Sequence, residues 1–309
     1  MNKNTLPAAT EELKSFDDLI ARFKAMTPKR RVVVVCPTDE PTRAVVEQCA
    51  ADGSAEFLLT VEADKAAIAQ ELADRHPGVE VFVADDIDAA AVLGVRLIRE
   101  GRGDVLMKGG INTDRLLRPV LNKEHGLLPP GQVLSHITLT KVPAYPKMLL
   151  FTDAAVIPAP DANQLRAMLK YTIDTEHALG NPCPRVALIH FTEKVNPKFE
   201  YTLSYAEIIK EAEEGKFGEC VVGGPMDVKT ACDLHSAEIK GIDSPVAGKA
   251  DVLIFPILTA ANTFYKTVSF FCDAPMAGVL CGTTAPVVIP SRADHDISKL
   301  YSLALACLL

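Results

Sequence analysis

The sequence lacks the features that mark several large classes of protein. No apolar run reaches the roughly 18 residues that a membrane helix needs, and the eight cysteines include no CxxC pair. The net charge of −8 repels polyanions, and no strong basic patch offsets it. The acidic, helix-like stretch before Lys24 lacks the continuous apolar segment of a secretory signal. These absences predict a cytoplasmic protein with reduced core thiols that binds neither membranes nor nucleic acids.

The common nucleotide and hydrolase motifs are absent as well. Gly101-Arg102-Gly103 precedes a predicted strand instead of following one, so it is not a dinucleotide-binding loop. Gly248-Lys249 is followed by Ala250, where a P-loop has Ser or Thr. Neither HExxH nor GxSxG occurs. Asp294-His295-Asp296 has no spaced partner ligands, so the sequence predicts a turn and helix cap there and no metal site.

What the sequence does contain is typical of a two-domain α/β protein. Its 309 residues leave room for two domains at about 150 residues each. Strand-like apolar runs alternate with helical patterns, and the apolar run Val32–Cys36 indicates a strand buried on both faces. The proline-rich stretch Val156–Asp161 predicts a crossing into a second domain, with a cleft between the two. The pattern leaves open whether residues 285–309 complete the second sheet or return to the first.

Each predicted strand is a short apolar run with turn-forming residues on both sides. They are Arg31–Pro37, Glu56–Thr60, Val79–Ala84, Asp104–Met107, His136–Lys141, Met148–Phe151, Arg185–His190, Glu219–Val222, Asp251–Phe255, Gly278–Cys281 and Val287–Ile289.

A small-residue loop after the fourth predicted strand is the first candidate ligand site. It contains Lys108, Gly109, Gly110, Asn112 and Thr113. Paired glycines let a backbone approach a ligand closely, and the N–H groups at the start of the following helix attract an anion. Arg115 and Arg118 add positive charge nearby. The alternative, of equal weight, is a tight turn followed by a solvated basic face.

Two further loops contain candidate binding residues. Ser135 and His136 lie at the start of a predicted strand, where a single histidine more often has a structural role. Asn262 lies at the start of a helix that follows a strand, in the segment Thr259-Ala260-Ala261-Asn262. The alternative there is a helix cap made by Thr259, which needs no ligand.

The fourth loop contains the best single candidate for a phosphate site. Ser291 and Arg292 come just past the apolar strand Val287–Ile289. The planar fork of an arginine matches phosphate or carboxylate oxygens, and a neighbouring hydroxyl completes a cradle for an oxyanion.

Read together, these segments resemble the phosphate acetyl/butyryltransferase family from about Arg31 to the C-terminus. The matching segments are Val105–Leu127, the SHITL run from Ser135, Thr192–Pro197, Gly223–Val228, Ser244–Pro256, Ala277–Asp294 and Lys299–Ala306. The spacing of the last two looks more like the butyryl branch. The resemblance implies a fold of two α/β/α domains like isocitrate and isopropylmalate dehydrogenases, in which the tail returns to the first domain. The domains are then 1–155 plus 285–309, and 156–284.

The resemblance also implies a reaction: acyl-CoA plus phosphate gives acyl phosphate plus CoA, with butyryl-CoA favoured. CoA and phosphate are substrates, no cofactor or metal is bound, and the protein is a homodimer or a higher homo-oligomer. In this reading Arg292 holds phosphate and Ser291 bonds the carbonyl or phosphate oxygen.

Two departures from the family pattern bear on the catalytic assignments. The acetyl branch has an acidic residue where this chain has Lys299, so Asp294 becomes the substitute candidate for the base. The family commonly has Glu-Ala-Gly-Asn where this chain has Thr259-Ala260-Ala261-Asn262, so the carboxylate and the glycine are lost while Asn262 matches.

Three alternative functions stay open at this point. The first is a phosphate acetyltransferase. The second is a protein that binds CoA or acyl phosphate without turnover, suggested by Thr259 and Ala261. The third is a metal- and NAD-dependent dehydrogenase, for which the sequence offers neither acidic ligands nor a cofactor loop.

Overall fold

The computed structural model describes residues 11–290 and 296–309. Across these residues, eleven strands and eleven α-helices follow one another, which confirms the predicted mixed α/β fold. The chain divides into two compact units. Of the described residues, unit A consists of 16–134, 277–290 and 296–309, and unit B consists of 11–15 and 135–276.

Unit A is built on a largely parallel sheet with the strand order β3-β2-β1-β4-β11-β10. Its elements are α1 (Phe16–Ala25), β1 (Arg30–Val35), α2 (Glu40–Ala51), β2 (Ala55–Glu62), α3 (Ala66–Arg75), β3 (Val79–Ala84), α4 (Ile87–Arg99), β4 (Val105–Lys108), α5 (Thr113–Val120), β10 (Met276–Cys281), β11 (Val287–Val288) and α11 (Asp296–Leu308). Val32 to Val35 are all buried, as the apolar run predicts. Only β10 runs antiparallel, against β11.

The register of this sheet brings three strand ends to one edge. Val35 pairs with Lys108, and Val288 pairs with Met107, in parallel ladders. Because the carboxyl ends of parallel strands meet at the same edge, the loops after β1, β4 and β11 leave from neighbouring positions. We call this the carboxyl edge of unit A.

Unit B contains a second sheet region with the strand order β5-β6-β9-β7-β8. Its elements are β5 (Ser135–Thr140), β6 (Leu149–Thr152), α6 (Ala162–Ala178), β7 (Arg185–Ile189), α7 (Glu200–Glu213), β8 (Val221–Met226), α8 (Val228–Cys232), α9 (Leu234–Lys240), β9 (Val252–Ile254) and α10 (Leu258–Phe271). Only β5 runs antiparallel, against β6. The core includes Phe151, whose ring meets Phe264 edge-on at 5.2 Å.

The boundaries between the units differ from the predicted boundaries after residues 155 and 284. The chain changes unit at Ser135 and at Ala277. Residues 135–152 stay in unit B because β5 pairs with β6, and β6 pairs with β9. The stretch Val156–Asp161 therefore leads into α6 within one unit. At the second boundary, β10 pairs with β11, so the chain from Ala277 joins unit A together with the C-terminal helix.

The cysteines are less buried than the sequence predicts. All eight are free, but only Cys36, Cys49 and Cys307 are fully buried, and Cys183 is exposed. The prediction of core thiols is therefore wrong for Cys183, which lies in the turn before β7. Among the described residues, no helix is long and apolar enough to span a membrane.

Glu176 is a buried carboxyl group on α6. Its Oε2 accepts a hydrogen bond from Asn181 Nδ2 at 3.0 Å, and the residue is only 7% exposed. Burial raises the pKa of Glu176 to about 8, although the bond from Asn181 works against this shift. The folded chain therefore keeps a proton that the unfolded chain releases at lower pH.

This proton makes the stability depend on pH. A pKa raised on folding stabilises the protein fully below its ordinary value of 4.5, and that contribution is lost as the pH rises toward about 8. We expect the free energy of unfolding of the wild type, relative to Glu176→Gln, to fall by up to about 1.4 kcal/mol per pH unit between these limits. Urea unfolding at several pH values measures the difference. The same change at Glu213, exposed on α7, is the control and keeps the wild-type slope. A wild-type slope in Glu176→Gln contradicts the assignment.

Candidate functional site

The loop after β4 lies at the carboxyl edge of unit A and contains the predicted residues Lys108 to Thr113. Lys108 is only 3% exposed, and its Nζ donates to the carbonyl oxygens of Gly109 at 3.3 Å and Ile111 at 3.2 Å. The ammonium group thus lies beneath the loop and fixes its path. Of the predicted residues in this loop, Gly109 contacts the buried ammonium group directly.

The two glycines in this loop pack directly against the chain that follows β1. Gly109 N donates to Val35 O at 2.9 Å, and Gly110 N donates to Cys36 O at 2.6 Å. A Cβ on Gly109 would overlap the backbone of Cys36, and one on Gly110 would overlap Thr38 Oγ1. Glycine is therefore required here by the close approach of two loops, a reason independent of any ligand.

Helix α5 starts directly after this loop. Asn112 is its N-cap residue and makes no side-chain hydrogen bond to the helix, so its side chain does not satisfy the first amides of α5. Asn112 and Thr113 are exposed. The positive end of the helix is therefore open to an anion.

A groove of about 670 Å³ lies between α4 and α5. Its lining combines apolar residues with cations: Val92, Val95 and Pro119, and Arg96, Arg99, Arg115 and Arg118. Arg96 pairs with Glu100, and Arg115 with Asp88. Within residues 11–290 and 296–309, no ion pair involves Arg99 or Arg118. Two of the four arginines are thus open to an anionic ligand.

Lys299, where the resemblance implies an acidic residue, forms an ion pair with Asp39, whose side chain is 29% exposed. Lys299 is only 3% exposed, and its Nζ lies 2.7 Å from Asp39 Oδ1 and 3.2 Å from Thr42 Oγ1. Asp39 also caps α2 by accepting from Thr42 N at 3.0 Å. Burial raises the pKa of Asp39, but the bonds from Lys299 and Thr42 outweigh it and the net shift is downward. Asp39 is therefore ionised. The sequence analysis did not predict that Lys299 and Asp39 form an ion pair.

In unit B, Ser135 and His136 lie beside the buried carboxylate of Asp153. Ser135 Oγ donates to Asp153 Oδ2 at 3.0 Å, and His136 N donates to the same oxygen at 3.1 Å. The other oxygen of Asp153 accepts from the backbone after it. Ser135 is fully buried. This network fixes the carboxyl end of β6. The sequence analysis did not predict a role for Asp153.

Asn262 joins the same region through the backbone. Its Nδ2 donates to Ala154 O at 3.0 Å, so the structure brings Ser135, His136 and Asn262 together around Asp153-Ala154. The alternative of a cap by Thr259 is wrong. Helix α10 already begins at Leu258, and its N-cap residue, Ile257, makes no side-chain bond. Ala261, where the family has glycine, is fully buried in the core of unit B.

Ser291, Arg292 and Asp294 lie outside the described residues, as does most of the Asp294-His295-Asp296 run. The chain before them, Ile289 and Pro290, follows β11 at the carboxyl edge of unit A. Within the part of the chain that the structure describes, no three His, Cys, Asp or Glu side chains cluster closely enough to hold a metal ion.

The comparisons with known proteins agree on one family. The family model described as phosphate acetyl/butaryl transferase matches residues 32–307. A phosphate butyryltransferase of Clostridium acetobutylicum is 34% identical, over 96% of this chain and 98% of the relative. A phosphate acetyltransferase of Rhizobium meliloti is 36% identical, over 95% and 92%. The similarity thus extends over nearly the whole of each protein.

Solved structures agree with the sequence comparison. A branched-chain phosphotransacylase from Enterococcus faecalis aligns with a TM-score of 0.77 at 26% identity, over 90% of this chain and 98% of that one. A 4-hydroxythreonine-4-phosphate dehydrogenase from Klebsiella pneumoniae aligns with a TM-score of 0.52 at 12% identity, over 90% and 98%. The second likeness concerns the fold alone.

Proposed function

Because this chain belongs to the phosphate acetyl/butaryl transferase family, we propose that it is a phosphate acyltransferase. It converts a short-chain acyl-CoA and phosphate into acyl phosphate and CoA, and it catalyses the reverse reaction. The observation that carries this proposal is the loop after β4, where the buried Lys108 ammonium lies beneath paired glycines and an uncapped helix start. Such a loop suits a small anion.

The phosphate site in this proposal is built from both sides of the carboxyl edge. The amides at the start of α5 and the charge of Lys108 attract phosphate from the β4 side. Arg292 holds two of its oxygens from the segment after β11. Ser291 donates to the carbonyl or phosphate oxygen.

The proposed roles of these residues define the chemistry. A phosphate oxygen attacks the thioester carbonyl carbon, and the carbonyl oxygen takes the negative charge, which the donors of Ser291 and Arg292 stabilise. The C–S bond then breaks, and CoA leaves as a thiolate that takes up a proton. In the reverse direction a base removes the proton from the CoA thiol, since the thiolate is the nucleophile. Asp294 is our candidate for that base.

The groove between α4 and α5 suits the phosphate groups of CoA. Arg118 and Arg99 offer charge at its wall, and Val92, Val95 and Pro119 offer apolar surface. We expect Arg118→Gln to raise the KM for CoA by about threefold to tenfold with little change in kcat, because it removes one charged contact far from the reacting bond.

Steady-state kinetics with varied CoA measures this effect. The control is Arg75→Gln on α3, which removes a cation paired with Glu47 and lying outside the groove. An unchanged KM for CoA in Arg118→Gln places the CoA phosphates elsewhere.

The favoured acyl group in the proposal is butyryl. The test is the rate of free thiol release from acetyl-, propionyl-, butyryl- and isobutyryl-CoA, with and without phosphate. A single methylene changes binding by about 1 to 3 kcal/mol, so we expect butyryl-CoA to exceed acetyl-CoA by about tenfold or more in kcat/KM. A preference for acetyl-CoA makes the protein a phosphate acetyltransferase. No release from folded protein that binds CoA favours a binding protein without turnover.

We also propose a dehydrogenase-like arrangement for the fold and a homo-oligomeric assembly. The likeness to a dehydrogenase supports a dehydrogenase-like arrangement in each unit, without its chemistry. A homo-oligomer in the cytoplasm, with CoA and phosphate as substrates and no bound cofactor, completes it. Size-exclusion chromatography with light scattering tests the oligomeric state.

A further inference from the structure

The ion pair between Lys299 and Asp39 joins two segments that are far apart in sequence. Lys299 is in the first turn of α11, and Asp39 caps the N-terminus of α2. Lys299 Nζ contacts both Asp39 Oδ1 and Thr42 Oγ1, and its side chain is only 4% exposed. A cation is thus fully enclosed at the point where α11 meets the chain after β1.

Stability alone does not account for this pair. Helix α11 already buries a row of apolar side chains: Leu300, Leu303, Ala304, Leu305, Ala306 and Cys307. A buried ion pair seldom stabilises a fold more than well-packed apolar residues in its place. Moreover, among the residues that the structure describes, none donates a hydrogen bond to the buried Asp39 Oδ2, which is a further cost. What the pair adds is a specific register, because an ion pair requires one alignment of the start of α11 with Asp39.

The pair adjoins the β4 loop in space, and its lysine follows the proposed catalytic segment in the sequence. On one side, the last residue of β1 and the residue after it accept the backbone hydrogen bonds of Gly109 and Gly110. On the other side, α11 begins directly after the segment that contains Ser291, Arg292 and Asp294. The pair therefore ties the start of α11 to the neighbour of the β4 loop.

We propose that Lys299 and Asp39 are positioning residues for acyl transfer, which hold the start of α11 in register with the β1 and β4 loops. This inference rests on the proposed function. It assigns the two residues no contact with substrate. Their role is to fix the start of α11 against the chain after β1, and through it against the β4 loop.

The decisive test is the double variant Lys299→Met/Asp39→Asn. Methionine keeps most of the volume of the lysine stem, and asparagine keeps the cap on α2. Lys299→Met alone leaves a carboxylate without its cation, so we expect its Tm to fall and the Tm of the double variant to recover. A purely structural role predicts that kcat recovers together with Tm. A positioning role predicts that kcat of the double variant stays about 10- to 100-fold below wild type.

The matched control is Arg31→Met/Asp104→Asn, which removes an ion pair at the amino ends of β1 and β4. We expect its kcat to equal that of wild type. A double variant at Lys299 and Asp39 with kcat within twofold of wild type overturns the inference. If that double variant does not fold, Asp39→Asn alone, which keeps the cap, gives the answer by the same criterion. A wild-type protein with no phosphate-dependent release of CoA refutes the proposed function instead.

Discussion

Replacing Arg292 with alanine is expected to lower kcat for phosphate-dependent CoA release by about 100- to 1,000-fold. The reason is that the account assigns this side chain to the phosphate and to the charge that develops on the attacked carbonyl, and a single donor of this kind has an effect of that size. Because the planar fork is what matches two phosphate oxygens, Arg292→Lys should recover only a small part of the activity. Initial rates at saturating acyl-CoA and phosphate measure both variants.

The control for this prediction is Arg102→Ala. Arg102 pairs with Glu80 and lies before β4, at the opposite edge of the sheet from the β4 loop. Its loss should leave kcat within about twofold of wild type. Full activity in Arg292→Ala would falsify the assignment of phosphate binding to this residue.

Adding one methyl group at Gly109 is expected to disrupt the site through the backbone. An alanine Cβ there would overlap the carbonyl group of Cys36 and the carbonyl oxygen of Val35. Backbone cannot give way as a flexible side chain does, so the β1 and β4 loops must separate. We expect Gly109→Ala to lose about 1 to 3 kcal/mol or more of stability, together with most of the activity, as measured by urea unfolding and initial rates.

Gly78→Ala makes a suitable comparison. The nearest atom to its new Cβ would be Glu56 Cγ at 3.9 Å, which is ordinary contact, and the residue is exposed. Its stability should change by no more than about 0.5 kcal/mol, with wild-type activity. Equal losses in the two variants would mean that the close approach at Gly109 is not what the site depends on.

Much of the fold could be predicted because the apolar runs are so regular. The strand predicted at Val79–Ala84 has those bounds in the structure, and the other predicted strands fall within a few residues of observed ones. The prediction was poorest for β8, which spans Val221–Met226 and contains two glycines and Pro225. These residues rarely occur within strands. The boundaries of the units were also misplaced, because hydropathy gives no sign that β5 and β6 pair antiparallel.

The candidate site was predictable where the signal is local. Paired glycines between a strand and a helix identified the loop at Lys108 without any structure. Lys299 and Asp39 are each noticeable in the sequence, because Asp39 precedes a helix start and Lys299 interrupts an apolar helix. Their partnership spans 260 positions, however, and a single sequence does not show which distant residues meet. Asp153 was not predicted for the same reason, because its partners Ser135 and His136 contact it only when β5 pairs with β6.

If phosphate itself accepts the acyl group, the ratio of the two products of the reaction shows it. Wild-type protein is incubated with butyryl-CoA and phosphate, free CoA is followed as thiol, and butyryl phosphate is followed by phosphorus NMR. We expect one butyryl phosphate to form for each CoA released, and no CoA to be released when phosphate is omitted. CoA release that proceeds equally without phosphate, or that yields butyrate in place of butyryl phosphate, would contradict it.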